Sequence, residues 1–220
     1  MSSHLHLRYH GQYQANCQND IIKEAMHQLV FATNNAHKLR ELGEILKGEF
    51  KLLSLSDISC SDDIPETGNT LEANASQKSF YIWDRFNTDC FSDDSGLEIA
   101  ALDNEPGVRS ARYAGEGRNS EDNIDKVLAE LKNKQDRSAC FRCVISLVME
   151  GDEYLFEGRV DGEILSERHG SDGFGYDPIF RPDGFAHSFA EMEADVKNSI
   201  SHRGRAVQKL VRFLLEKYPH

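Results

Sequence analysis

The chain has 220 residues, 39% of them apolar and 28% charged, enough for one large α/β domain or one domain of two lobes. Its 25 Lys and Arg against 37 Asp and Glu leave a formal charge of −12, which argues against binders of polymeric nucleic acid or of an anionic membrane, since both require a basic face. No run approaches the ~18 consecutive apolar residues of a membrane span and the N-terminus lacks an apolar signal core, so the expected setting is cytoplasmic.

Residues 1–25 are polar and weakly periodic, and read as a poorly ordered N-terminal extension ahead of a single domain over 26–220. His4, His6 and His10 lie there without Cys or carboxylate partners at ligand spacing. "LVFAT" (29–33) reads as a short strand, and "AHKLRELGEIL" follows with Leu39, Leu42, Ile45 and Leu46 at helical spacing. "KLLSL" is a second strand. "TLEANASQKSFYIWDRF" is a helix with Leu71, Ala75, Ile82, Trp83 and Phe86 inward. "DCFSDD" and "LEIAAL" read as two strands joined through a Ser-Gly turn.

A Gly- and Arg-rich loop (103–118) leads to a third helix, with Ser120 as N-cap and a stripe of Ile124, Val127, Leu128 and Leu131. Strands near 138–149 and 153–162 pair as a hairpin about "EGDE". "SHRGRAVQKLVRFLLEKY" ends the chain as a helix carrying Val207, Leu210, Val211, Leu214 and Leu215 on one face. Cys140 and Cys143 fit C-x-x-C, but three residues apart on a strand they face opposite ways, which disfavours a zinc or redox pair. With Cys17, Cys60 and Cys90 they are expected to be reduced thiols. The alternation of strands and helices predicts an α/β fold with two lobes around a cleft.

Four segments carry chemistry. "TNNAHK" (33–38) sits at a strand-to-helix junction, where the free N–H groups of a first helical turn suit phosphate and Lys38 adds a full charge. "IPETGNTLEANASQKS" holds Glu66 in a loop, then Glu72 and Lys78 on the next helix. Asp93 and Asp94 stand side by side with Ser95 and Gly96 behind them. On a strand they point to opposite faces, and hard carboxylate oxygens with room for water suit magnesium (Mg2+). "SDGFGYDP" places Phe174 and Tyr176 among glycines as surfaces for a base to stack on, and "KNSISHRG" puts His202 and Arg203 in a first helical turn capped by Ser201.

In order, Thr-Asn-x-x-x-Lys, Glu-Thr-Gly, Glu-x-Asn-Ala, Asp-Asp-Ser-Gly-Leu, Ser-Ala-Arg-Tyr, Gly-Phe-Gly-Tyr-Asp-Pro and Ser-His-Arg-Gly resemble the inosine triphosphate pyrophosphatase family from about Leu29 to Leu215. The resemblance implies hydrolysis of non-standard purine nucleoside triphosphates, a long mixed central β-sheet flanked by helices, a cleft between two lobes, and a homodimer. It implies a triphosphate-binding turn of Thr33, Asn34, Asn35, Ala36, His37 and Lys38, with Asn34 where the family usually has glycine. Asp94 falls on its catalytic, metal-binding aspartate, Ser95 on a substrate contact, and Glu66 on a loop acid that binds Mg2+. Phe174, Gly175, Tyr176 and Asp177 match its base-side segment, and Lys197, His202 and Arg203 its remaining substrate contacts.

The expected reaction is Mg2+-dependent attack of water on the α-phosphorus. Lys38 and Lys78 neutralise charge while Asp94 deprotonates or orients the water. Asp93 is expected to brace the turn from the opposite face. A donor from His202 or Arg203 aimed at the purine O6 is expected to set base preference. Two other readings fit less of the sequence: a Maf-like nucleotide pyrophosphatase of different base preference, and a non-catalytic nucleotide-sensing module.

Overall fold

The computed structural model describes residues 28–45 and 50–218, apart from the side chains at 44 and 45. The expected extension over 1–25, Leu46 and Cys17 lie outside the described residues. Six strands form one mixed sheet, in the order β2-β1-β3-β4-β5-β6. They are β1 (Gln28–Phe31), β2 (Lys51–Leu53), β3 (Cys90–Ile99), β4 (Ser138–Met149), β5 (Asp152–Ile164) and β6 (Phe180–Pro182). β1 runs parallel to β2 and β3, and every later pairing is antiparallel. Among the described residues five α-helices flank the sheet: α1 (Ala36–Ile45), α2 (Leu71–Phe86), α3 (Ser120–Glu130), α4 (Ala194–Ile200) and α5 (His202–Lys217).

The helices form where the apolar stripes and caps direct. Thr70 accepts from Ala73 N at 3.1 Å to open α2, and Ser201 accepts from Gly204 N at 3.0 Å to open α5. For α3 the cap is Asn119, not the expected Ser120: its side chain accepts from Glu121 N at 2.9 Å. At one end of the sheet, α5 buries Val207, Leu210 and Leu214 against Phe91, Ile145 and Leu147, joined by Leu42 of α1. On the other face there, α2 buries Ile82 against Val30, Cys90 and Val148. At the far end, Ile124 and Val127 of α3 and Leu131 at its C-cap share a separate core with Leu97, Ile99, Val160 and Phe180. These cores make two lobes.

The cleft between them follows from strand lengths. β1 pairs with β3 only at Val30–Cys90 and Phe31–Phe91, then leaves the sheet for α1, while β3 continues to Ile99 against β4, its other edge carrying a single bridge from Glu98 to Pro106. A departing parallel strand opens a crevice at its carboxyl end. Asp93–Gly96 lie just where β3 loses that neighbour.

The Ser-Gly turn expected after Asp94 does not exist. Ser95 and Gly96 pair with Cys143 and Arg142 inside one uninterrupted strand. Glycine is needed there for a close approach: a Cβ on Gly96 would lie 2.5 Å from the carbonyl oxygen of Gly107 in the loop packed above it. Gly158 plays the same part on β5, where a Cβ would overlap the His202 carbonyl at the start of α5. Gly158→Ala is therefore expected to cost about 1–3 kcal/mol by overpacking, a drop of roughly 2–12 °C in thermal midpoint. An unchanged midpoint would show that α5 can back away from β5 freely.

Candidate active site

β3 delivers its two aspartates to opposite faces. Asp94 points toward α2, where Asn74 Nδ2 donates to Oδ2 at 3.0 Å and Lys78 Nζ lies 3.9 Å from Oδ1. Asp93 points toward α1 and α5, where it accepts from Lys38 Nζ at 2.9 Å and Arg203 Nε at 3.1 Å. Neither carboxylate leaves the folded body: Asp93 is 1% exposed and Asp94 9%. The turn that Asp93 was expected to brace is absent, and it holds two cations instead.

Two clusters meet around this pair. In the first, Lys78 Nζ reaches the Asp93 carbonyl at 2.8 Å and Glu66 Oε1 at 2.6 Å. In the second, Lys197 Nζ donates to Asp177 Oδ2 at 2.8 Å and to Glu41 at 3.3 Å, and Arg203 Nη1 donates to Glu41 Oε2 at 2.5 Å. The cations of Lys197 and Arg203 lie 5.2 and 5.6 Å from the Phe174 ring centre. His202 stacks on Phe141 at 4.7 Å, and its Nδ1 is the buried side-chain polar atom without a partner among the described residues.

The environment separates the two aspartates. Burial raises the Asp94 carboxyl, and Lys78 and Lys38 only partly offset it, so Asp94 stays above the usual carboxylate range. Burial pushes Asp93 the same way, but Lys38, Arg203 and Lys78 outweigh it and hold the group far below that range. For Glu66 too, Lys78 and its other neighbouring cations outweigh burial and lower the carboxyl. Burial would lower Lys78, yet Asp94, Glu66 and Asp93 more than compensate and keep it charged. Burial, then Arg203 and Lys197, take His202 well below its usual value, leaving a neutral imidazole.

Both clusters open into one cavity of about 410 Å³, bounded by the turn after β1 on one side and the Phe174 loop on the other. Residues 29–213 match the model of the Ham1 family. The chain belongs to that family. It is 50% identical over 187 residues to a dITP/XTP pyrophosphatase of Flavobacterium johnsoniae, covering 85% of this chain and 97% of the relative. A dITP/XTP pyrophosphatase of Porphyromonas gingivalis is 50% identical over 191 residues, covering 86% and 98%. A Ham1 protein structure from Coxiella burnetii superposes with a TM-score of 0.81 at 40% identity, covering 87% of this chain and 100% of that one. The resemblance drawn from the seven motifs is borne out, and so is the mixed α/β fold.

Within this Ham1 fold, Thr33, Asn34, Asn35, Lys38, Glu66, Lys78, Asp94 and Ser95 line the cavity together with Phe174, Gly175, Tyr176, Asp177, Lys197, His202 and Arg203. Ala36 and His37 do not. His37 instead stacks on Phe174, with ring centres 5.3 Å apart. Asn35 caps α1, accepting from His37 N at 2.9 Å, and Asn34 Nδ2 donates to the Asp62 carbonyl at 3.3 Å. Tyr176 offers no open ring: it is buried, and its hydroxyl donates to the Ser110 carbonyl at 2.8 Å.

Sequence reasoning assigned no role to Glu41, Asn74 or Phe141. Glu41 lies three residues after Lys38, on the same face of α1, a spacing that could have marked it. Nothing local marks Phe141, which reaches the site only because β4 carries it beneath α5. The four described cysteines are free and buried, and Cys143 is pushed up to about 12 by burial and the nearby Asp93.

Proposed function

We propose that the protein hydrolyses non-standard purine nucleoside triphosphates (ITP, dITP and XTP) to the nucleoside monophosphate and pyrophosphate. One observation carries the reading: a carboxylate with a raised pKa, Asp94, shares a cavity with phosphate-suited cations and with a neutral histidine whose ring nitrogen lacks a partner. Asp94 takes a proton from the attacking water or orients it. The water oxygen bonds to the α-phosphorus, the α–β bridging bond breaks, and pyrophosphate leaves with the bridging oxygen. Lys78 and Lys38 neutralise charge on the phosphoryl oxygens, and Thr33–Asn35 present the α1 N-terminus to them.

The donor set fits Mg2+. Asp94 and Glu66 offer hard oxygens, and among the described residues no cluster of three or more His, Cys, Asp or Glu forms a closed cage. An ion that binds through one or two carboxylates, substrate phosphates and water needs no more than this. The chemistry it supplies when held there is polarisation of the phosphoryl oxygens.

Base preference rests on His202 and Arg203. A 6-oxo purine presents N1–H and O6, whereas adenine presents a bare N1 and an amino group. A mismatch that leaves the buried imidazole unpaired costs about 1–3 kcal/mol. We place the enzyme in the cytoplasm as a homodimer, in keeping with its free buried thiols and the family it belongs to; among the described residues no helix is long and apolar enough to cross a membrane.

Incubation with ITP, XTP, GTP and ATP, each with Mg2+ or EDTA, followed by anion-exchange chromatography of the products, tests the reading. Mg2+-dependent IMP and pyrophosphate from ITP, with little turnover of ATP, is expected. IDP with orthophosphate would move scission to the other phosphoanhydride, and no turnover of any nucleotide would favour a sensing module.

A further inference from the structure

Among the described residues, one cation lining the cavity has no carboxylate partner. Lys38, Lys78, Lys197 and Arg203 each contact a carboxylate, and Arg112 Nη2 lies 3.8 Å from Glu66 Oε2. Arg118 lines the same cavity, and its guanidinium has no hydrogen-bond or ion-pair partner among the described residues. Its backbone is left-handed, with φ 50°, a conformation that non-glycine residues adopt only at a cost. Of the described non-glycine residues with positive φ, Arg118 is the one that lines the cavity.

The loop fixes this placement. Asn123 binds it on one side, accepting from Ala114 N at 2.7 Å and donating to the Ala111 carbonyl at 3.1 Å. Asn119, the next residue, is tied into the α3 cap. Arg118 is thus held, strained and uncompensated, on a short stretch between two anchors.

We propose that Arg118 binds the terminal phosphoryl group of the triphosphate and so selects triphosphates over shorter nucleotides, an inference that rests on the function proposed above. Arg112, on the same loop, reaches the Glu66–Lys78 cluster, which sets this loop beside the phosphate-binding end. The opposite end is the buried Phe141–His202 stack suited to the base. Arg118 is exposed while lining the cavity, so its guanidinium is open to a ligand from solvent. A guanidinium fork matches phosphate oxygens in a way that an ammonium does not.

The test compares wild type, Arg118→Ala and Arg118→Lys with Mg2+ present. Arg118→Ala is expected to lower kcat/KM for ITP by roughly ten- to a hundredfold and to leave competitive inhibition by IMP unchanged, with Arg118→Lys between. Calorimetric titration with inorganic pyrophosphate reads the same contact without turnover, so it stands even if wild type fails to convert ITP to IMP; there Arg118→Ala is expected to weaken binding by a similar factor. Unchanged kcat/KM together with unchanged pyrophosphate affinity would overturn the proposal. So would an equal loss for IMP, or a shift in the ITP-to-ATP ratio, since either would place Arg118 on the nucleoside side.

Discussion

Asp94→Asn is expected to lower kcat by roughly 10²–10⁴-fold while raising the thermal midpoint at neutral pH. The activity loss follows from removing the cavity-facing carboxylate that lies beside Lys78 and Asn74, where the attacking water is to be held. The stability gain follows from the same shift. Burial makes the ionised Asp94 unfavourable, and Lys78 and Lys38 do not fully offset it. Because its native pKa lies above the unfolded value, the folded state loses stability as pH rises through that interval, and the wild-type protein carries this deficit at pH 7. An amide of the same shape removes it. The gap between variant and wild type should narrow as pH falls toward the raised pKa and the wild-type carboxyl protonates. Paired melts over a series of falling pH from 7, with single-turnover rates on ITP, check both halves. A variant that is inactive yet clearly less stable than wild type at pH 7 would show that Asp94 holds the fold together rather than straining it.

Asp93→Ala is expected to do the reverse, costing about 3–5 kcal/mol of stability, or roughly 6–20 °C in midpoint. The side chain is the shared counter-ion of Lys38 and Arg203, both largely buried. Its removal leaves two desolvated cations facing an empty space, though Arg203 keeps Glu41. Asp93→Asn separates charge from volume, and most of the loss should persist in it. Here the native pKa lies far below the unfolded one, so the stability is fully present above the usual carboxylate pKa of about 4 and disappears only as pH falls below it. Denaturant unfolding of wild type and Asp93→Asn at pH 7 and pH 3 reads this. An equal difference at both pH values would mean that charge is not what Asp93 contributes. Two neighbours of identical chemistry thus carry opposite stability signs, because one has two cations in direct contact and the other an amide and a lysine at 3.9 Å.

Much of this was legible in the residues because it is local. Apolar periodicity marked α1, α2, α3 and α5 and the β4–β5 hairpin to within a residue or two, and cap chemistry placed the start of α5 at Ser201. Strand alternation alone put Asp93 and Asp94 on opposite faces, and the order of seven motifs pointed to the family and to the residues at 33–35, 38, 94–95, 174–177 and 202–203 that meet at the cavity.

What stayed hidden depends on partners distant in the chain. Ser95-Gly96 reads as a turn until β4 and Gly107 are seen beside it: ladder pairing over ten residues carries the strand through, and the glycine answers a backbone 11 positions away. Tyr176 looks like a stacking platform until Ser110 claims its hydroxyl. Local spacing cannot rank the cations either, since whether a lysine or arginine is neutralised depends on carboxylates brought in from other elements, as Asp93 is to Arg203 across 110 residues. Composition, periodicity and motif order set which elements form and which chemistry they carry, through interactions within a few residues. The electrostatic roles of Asp93, Asp94, Glu41 and Arg118 arise only when folding brings elements together in a poorly solvated cleft, because burial and neighbouring charge do not exist in the extended chain.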